Sequence, residues 1–498
     1  MISLSAFGKN DIRGIYSEDI TEELYYYVGR AFVKYLINQS GKKVSSTWIT
    51  VCRDARTHSP SLSDALIKGV RSTGANVVDM GLSPTPIGYY SETVGVPHFL
   101  TDSEHVLGAL IVTASHNPSQ YNGLKMTYNK QTLNEEQIKE VKELTSQEYR
   151  LKSPVAIEGK LKEYDLIPDY ITAMKMQFAD LANTVNGDIK VVVDSGNATG
   201  GIVGPKLYRA LGCKVVELFS TPDGRFPNHH PNPSEEKNLV DLKKTVIAEK
   251  ADLGIAFDGD SDRIGVVDSK GNFLTGDKLL LIYALDVIEQ LSNKGDVPIV
   301  VSEVKCSQVL FDTIDMCGGK SIMCKTGHGY IKSKMKETGA ILAGEMSGHT
   351  FFKDRYYGFD DAIYAGCRII EILAKHKKND SDFTIEDLLA PFKSICSSPE
   401  LRLSCPNELK KDVLSKFETF VNENKTAFGT PIKDIITLDG MRIVFDGGFA
   451  LVRQSNTEPV FTLRFEAKSE MNCDIYKDVM VQKLKEYIKE LETIEVNG

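Results

Sequence analysis

Short runs of β-branched and apolar residues alternate along this chain with stretches whose apolar positions recur at helical spacing. WITVCRD from Trp48 predicts a strand, SLSDALIKGVRSTG from Ser61 an amphipathic helix, and NVVDMG from Asn76 the next strand. Such alternation is the mark of βα units and mostly parallel pairing, so the predicted class is α/β. Three stretches share a further arrangement, an apolar strand that breaks into a polar motif: GALIVTASHNP from Gly108, ADLGIAFDGDSDR from Ala251 and GAILAGEMSGH from Gly339. In α/β sheets ligand chemistry gathers where strands end, which makes each an active-site loop and predicts three related α/β units with mixed sheets. The C-terminal part instead shows a helix at KKDVLSKFETFVNEN, short strands with Gly turns near ITLDGMRIVFDGGFALVR, and a last amphipathic helix at YKDVMVQKLKEYIKEL, a smaller α+β domain. The expected domains are 1–155, 156–271, 272–395 and 396–498.

Length agrees, since 498 residues suffice for three or four domains of about 100 to 200 residues. The net charge of -9 and pI near 5.6 argue against nucleic acid as a partner. Nine cysteines, odd in number and never spaced C-x-x-C, suggest neither a disulfide framework nor zinc, and reduced thiols in a cytoplasm fit best. The start, MISLSAFGKNDIRG, lacks the basic and apolar regions of a signal peptide. LLLIYAL from Leu279 is too short to span a bilayer, so no membrane partner is expected.

Candidate chemistry lies in the strand-end motifs. TASHNP carries Ser115 and His116 into a loop with Lys125 close behind, but it is not the G-x-S-x-G of a serine hydrolase, and His116 is poorly placed as a triad base. Read alone, the loop can also merely turn the chain. DGDSDR sets Asp258, Asp260 and Asp262 at alternate positions, which share one face in extended backbone. Converging carboxylates repel one another without a cation, and an all-oxygen donor set suits Mg²⁺ with positions open to phosphate; the bland alternative is a solvated acidic turn. A calcium EF-hand would need Gly at Arg263 and Glu at Ser269. Arg263 beside a metal implies an anion between them, hence phosphoryl chemistry. GEMSGH offers Glu345, Ser347 and His349 on alternate positions, an acceptor and donor pair for vicinal sugar hydroxyls, with a helix N-cap as the other reading of Ser347. RQSNTEP supplies Arg453, Ser455, Asn456 and Thr457, with Arg464 a strand later, as a phosphate cradle or a plain turn; no P-loop is present.

In this order, TASHNP, DGDSDR, GEMSGH and RQSNTEP resemble the motifs of the α-D-phosphohexomutases, in particular the phosphomannomutase/phosphoglucomutase branch. The resemblance runs from DIRG at Asp11 almost to the end and includes VKCSQVL, PDGRFPNHHPNP and KTGHGYIKSKMKETGAILAGEMSGHTFFKDRYYGFDDAIYA. It implies three similar α/β domains and a mobile fourth around a central cleft, with sugar phosphates as substrates, Mg²⁺ as cofactor, hexose 1,6-bisphosphate as activator and intermediate, and a monomer or weak dimer. It also implies roles. Ser115 is similar to the phosphorylated serine of that family, and with Asp258, Asp260 and Asp262 it forms the metal site. Arg13, Lys125, Arg263, Lys305, Thr326 and His328 match positions that bind substrate or handle charge and protons around the transferring group. Glu345, Ser347 and His349 match the sugar-binding loop, and Arg453 to Thr457 the holder of the non-reacting phosphate. His328 and Lys125 are both candidates for the general base, His328 also reading as structural, while His116 is expected to orient Ser115.

The related phosphoglucosamine mutases differ at three positions, where this chain has Asp11, Met346 and Asn456. Asn10 in place of a usual Tyr and Ser261 in place of Gly depart from the hexose branch. A silent sugar-phosphate binding protein on the same fold and a metal-dependent phosphatase are the rival functions.

Overall fold

Strand Thr47–Arg53 is buried along nearly its whole length, as a strand covered on both faces must be. Around it the computed structural model, which describes residues 2–96, 105–155, 157–185, 187–292, 295–455 and 459–497, builds a first sheet. Its order is Ile12–Ile15, Tyr121–Tyr128, His105–Val112, Thr47–Arg53, Asn76–Leu82, Leu161–Glu163, with Gln131–Thr132 paired to Tyr121–Tyr128. The centre is parallel, but His105–Val112 pairs antiparallel with Tyr121–Tyr128, so the loop that carries Ser115 is the tip of a hairpin. Helices Glu22–Ser40, Ser59–Arg71 and Glu135–Leu151 contribute to the core under this sheet. The first begins at Thr21, whose hydroxyl accepts from Leu24 N, and ends at Gly41 in the left-handed region; the third begins with a capping box of Asn134 and Gln137.

The second sheet repeats the plan: Phe273–Leu274, Ile264–Asp268, Leu253–Phe257, Lys190–Asp194, Lys214–Leu218. Leu253–Phe257 is parallel to Lys190–Asp194 and antiparallel to Ile264–Asp268, and DGDSDR is the hairpin between them. A third sheet contains Lys320–Cys324, Ile299–Glu303 and Leu342–Gly344, all parallel. The last is antiparallel, with Cys396–Ser397, Val460–Ala467, Gly448–Gln454, Met441–Phe445 and Asp434–Ile436 in order and Leu401–Ser404 on Val460–Ala467. Helices Lys410–Glu423 and Glu470–Asn497 share its core through residues such as Phe417, Tyr476 and Met480.

The chain forms two compact units, Met1–Thr275 with Ser347–Thr384, and Gly276–Met346 with Ile385–Gly498. The division passes through GEMSGH, leaving Glu345 in the second unit and His349 in the first. Among the described residues no helix is long and apolar enough to cross a membrane.

Candidate active site

The two hairpin tips that carry TASHNP and DGDSDR each hold a serine in the left-handed region, Ser115 at φ 49° and Ser261 at φ 63°. Each such backbone costs on the order of 1–3 kcal/mol and persists only where its surroundings determine it. For Ser115 the surroundings are the aspartate loop. Its Oγ donates to Asp258 Oδ2 at 2.7 Å, although the two residues lie 143 positions apart. A Cβ on Gly259 would stand 2.3 Å from the Ser115 carbonyl, so only glycine lets the tips nest.

Asp258, Asp260 and Asp262 are fully buried and offer carboxylate oxygens within 4.8 Å of one another. The first closes its own loop, Oδ1 accepting from the amides of Asp262 and Arg263 at 3.1 and 3.2 Å. Burial, then Asp262 and Asp260, push the Asp258 carboxyl well above the usual range. Burial would do the same to Asp260, but Lys125 holds it below. The Lys125 ammonium donates to Asp260 Oδ2 at 2.6 Å and to Asp262 Oδ2. Desolvation works against that charge, yet these two carboxylates raise its pKa well above the usual lysine value. Asp260 Oδ1 and Asp262 Oδ1 remain buried with no hydrogen-bond partner among the described residues. Two carboxylate oxygens without a hydrogen bond, beside the Asp258 carboxyl, make a donor set for a hard divalent cation.

Cations and histidines ring this centre. Arg13 pairs with Asp11 at 2.5 Å and donates to Asn117 Oδ1 at 2.7 Å. His116 Nδ1 lies 3.2 Å from Ser115 Oγ, and burial, then Arg263 and Arg13, drive its pKa well down, so the ring is neutral. Arg263 Nε stands 4.0 Å from Asp258 and donates to His349 Nε2 at 3.1 Å. His349, expected beside Glu345 and Ser347, sits instead at the aspartate loop, its Nδ1 3.1 Å from Asp360 and 3.6 Å from Asp262. An isolated bridge joins it to Arg263, which explains the placement. Ser347 is half-buried in a turn that leads to strand Thr350–Phe352, which removes the N-cap reading.

In the second unit Glu345 accepts from the amide of Gly327 at 3.0 Å, tying GEMSGH to KTGHG, where His328 opens helix His328–Thr338. Lys305 Nζ lies 3.6 Å from Glu303 and 3.4 Å from Glu400; burial lowers its pKa, but Glu303, Glu400 and Glu345 raise it on balance. Asp439 Oδ2 accepts from both the Thr326 amide, at 3.0 Å, and Arg453 Nε, at 2.7 Å. Ser455 follows strand Gly448–Gln454, its carbonyl accepting from Lys410 Nζ, while Asn456 and Thr457 lie outside the described residues. Arg464 needs correcting. Rather than lining the phosphate cradle, it stands opposite Leu451 in strand Val460–Ala467, buried, and donates to the Lys305 carbonyl and to Asp277 at 3.1 Å. The sequence reading also passed over Thr85, whose hydroxyl donates to Asp260 Oδ2 at 2.6 Å, and Asp360. Neither stands in a motif with chemistry of its own.

Residues 4–152, 168–271, 275–391 and 400–483 match, in turn, phosphoglucomutase/phosphomannomutase alpha/beta/alpha domains I, II and III and the C-terminal domain. The chain belongs to the phosphoglucomutase/phosphomannomutase family. It is 39% identical over 481 residues to a phosphomannomutase/phosphoglucomutase of Pseudomonas aeruginosa, covering 97% of this chain and 96% of that protein. It is 37% identical to a phosphoglucomutase of Neisseria gonorrhoeae, covering 94% of each. Among solved structures, a phosphoglucomutase/phosphomannomutase family protein of Burkholderia thailandensis matches with a TM-score of 0.84 at 37% identity over 98% of each chain. The family architecture, three α/β/α domains and a C-terminal domain, accounts for the four sheets described above.

Proposed function

We propose that this member of the family is a phosphohexomutase that interconverts the 1-phosphates and 6-phosphates of mannose and glucose through a phosphoserine at Ser115. The observation that carries the reading is the Ser115 hydroxyl bonded to Asp258 within a buried centre of three carboxylates. Asp258, Asp260 and Asp262 would hold Mg²⁺, which supplies neutralising charge to phosphoryl oxygens, and the two bare Oδ1 atoms fit such an ion.

Transfer needs little covalent help from the protein and much positioning. A free hydroxyl of a hexose monophosphate attacks the phosphoserine; its oxygen gains the new P–O bond, the P–Oγ bond breaks, its proton passes to a base and Ser115 Oγ takes up a proton. The product, a hexose 1,6-bisphosphate, turns over and returns its other phosphoryl group to Ser115 by the reverse step. Lys125 is held protonated by its two aspartates, which supports His328 as the base. Glu345 and Ser347 are assigned to sugar hydroxyls that keep their place when the sugar turns, and Arg453 with Ser455, Asn456 and Thr457 to the phosphate that does not react.

Phosphorus NMR tests this with Mg²⁺, a trace of glucose 1,6-bisphosphate, and α-glucose 1-phosphate or α-mannose 1-phosphate. Conversion of both to 6-phosphates, lost in Ser115→Ala, is the expected result. Accumulating inorganic phosphate would make the protein a phosphatase, and conversion of glucosamine 1-phosphate alone would move it to another branch.

A further inference from the structure

Arg56 is a buried arginine that the chemistry above does not use. Its five side-chain N–H groups have five different acceptors. Nε donates to Asp54 Oδ2 at 3.0 Å, one terminal nitrogen to the carbonyls of Pro118 at 2.6 Å and Tyr121 at 3.1 Å, and the other to those of Ser115 at 2.8 Å and Asn117 at 2.6 Å. One planar fork therefore gathers four carbonyls of the Ser115 hairpin tip. Asp54 fixes the fork from behind: Oδ1 accepts from the Arg56 amide and the Ser59 hydroxyl, and Oδ2 also accepts from Thr113, whose own oxygen accepts from the Ser115 amide. Both the amide and the carbonyl of Ser115 thus trace back to the Asp54–Arg56 pair.

PDGRFPNHHPNP, a stretch given no role so far, closes over the same arginine. The Phe226 ring centroid lies 5.3 Å from the Arg56 guanidinium carbon. A Cβ on Gly224 would meet the Ala55 carbonyl at 2.2 Å and Arg56 Cα at 2.5 Å, so this turn seats directly on the arginine's backbone. The ring excludes water from one face of the fork, which strengthens the bonds it makes.

We propose that Arg56 is the positioning residue of the phosphoserine loop, holding the Ser115 oxygen against the aspartate centre, and that the Gly224–Phe226 turn is its cap. Four inward-facing carbonyls need donors whichever way the tip folds, and no other side chain supplies a planar array for them. Lysine has at most three donors and no fork. A loop that relaxes by about 1 Å would lower the transfer rate by about 100-fold while leaving the groups that bind the sugar and its other phosphate in place.

The inference rests on the phosphoserine reading, so the experiment measures two things in the full chain: conversion of α-glucose 1-phosphate, and phosphate on Ser115 by intact-mass spectrometry. For Arg56→Met we expect kcat to fall about 100-fold with KM within about threefold, Arg56→Lys to be intermediate, and millimolar guanidinium to restore part of the activity of Arg56→Ala. Phe226→Ala, at a half-buried position, should fold normally and lose about threefold in kcat. Folded Arg56→Met and Arg56→Lys proteins with wild-type kcat, or losses matched by the unfolded fraction alone, overturn the proposal. If the Arg56 variants do not fold, an unchanged kcat in Phe226→Ala overturns it. A wild-type protein that converts the sugar without ever carrying phosphate on Ser115 defeats the underlying reading instead, whatever the variants do.

Discussion

The two units each bury a cluster of charge, and the clusters are built in opposite ways. In the first, two of three clustered carboxylates, Asp260 and Asp262, share the ammonium of Lys125, two of the cluster's oxygens have no hydrogen-bond partner among the described residues, and Asp258 is pushed toward its protonated form. In the second, Arg442 and Arg464 direct donors to backbone carbonyls and to side-chain partners. Arg442 reaches the carbonyls of Val304 and Cys306 and the Gln308 side chain, with its guanidinium carbon 3.6 Å from the Phe449 ring centroid, and Arg464 reaches the Lys305 carbonyl and Asp277. Burial even lowers the Arg442 pKa to about 9. The acidic cluster is a poor way to stabilise a fold and a good way to hold a cation against a phosphoryl group. The basic cluster stitches strands Met441–Phe445 and Val460–Ala467 to the segment that carries Lys305. An excess of like charge with unbonded ligand atoms points to chemistry, whereas charge absorbed by carbonyls and a paired carboxylate points to architecture.

The sharpest way to break this contrast is Ser115→Ala, which should lower mutase turnover by more than about 10³-fold and leave thermal unfolding unchanged, by phosphorus NMR and calorimetry. Next is Asp258→Asn. Removing one of three crowded carboxylates should raise the melting temperature by about 2 °C or more, while turnover falls by about 100-fold and Mg²⁺ no longer stabilises the protein. A lower melting temperature would mean that the acidic cluster is structural after all.

Arg464→Met tests the other side. Removing the guanidinium partner of buried Asp277 should cost about 3 kcal/mol in urea unfolding, and Asp277→Leu in the same chain should recover much of it. No such recovery is expected for paired changes in the acidic cluster.

The smallest effect concerns Glu92, a buried carboxyl that accepts from the Lys130 amide and whose pKa burial raises from 4.5 to about 7. The folded state then binds the proton more tightly than the unfolded state, so stability falls as pH rises from about 4.5 to about 7 and levels off above. Glu92→Gln should flatten that slope and be the more stable protein at pH 8, as read by melting temperature.

The strand-end motifs were legible because their chemistry is local. The three aspartates do meet, though not by the extended-backbone route the spacing suggested: DGDSDR is a hairpin tip with Ser261 in the left-handed region, while TASHNP places a hydroxyl at a strand end whatever surrounds it. The α/β class followed from period and alternation in the same way, as did the α+β character of the C-terminal part. What the motif did not reveal is the company His349 keeps, with Arg263, Asp262 and Asp360, because the bridge to Arg263 joins segments 86 residues apart. Arg464 was misread because strand spacing does not reveal what covers a face.

The sequence by itself determined which functional groups are present and in which motifs: a strand-end serine, a carboxylate trio, and a Glu with a Ser two residues on. Only the tertiary structure decided which of them meet. Ser115 finds Asp258 across 143 residues, Lys125 finds Asp260 across 135, and Thr85 reaches Asp260 across 175. The Asp54–Arg56 fork and its Phe226 cap follow the same rule. The physical reason is that a hydrogen bond needs about 3 Å and a fixed angle, and only packed backbones of distant segments bring that about.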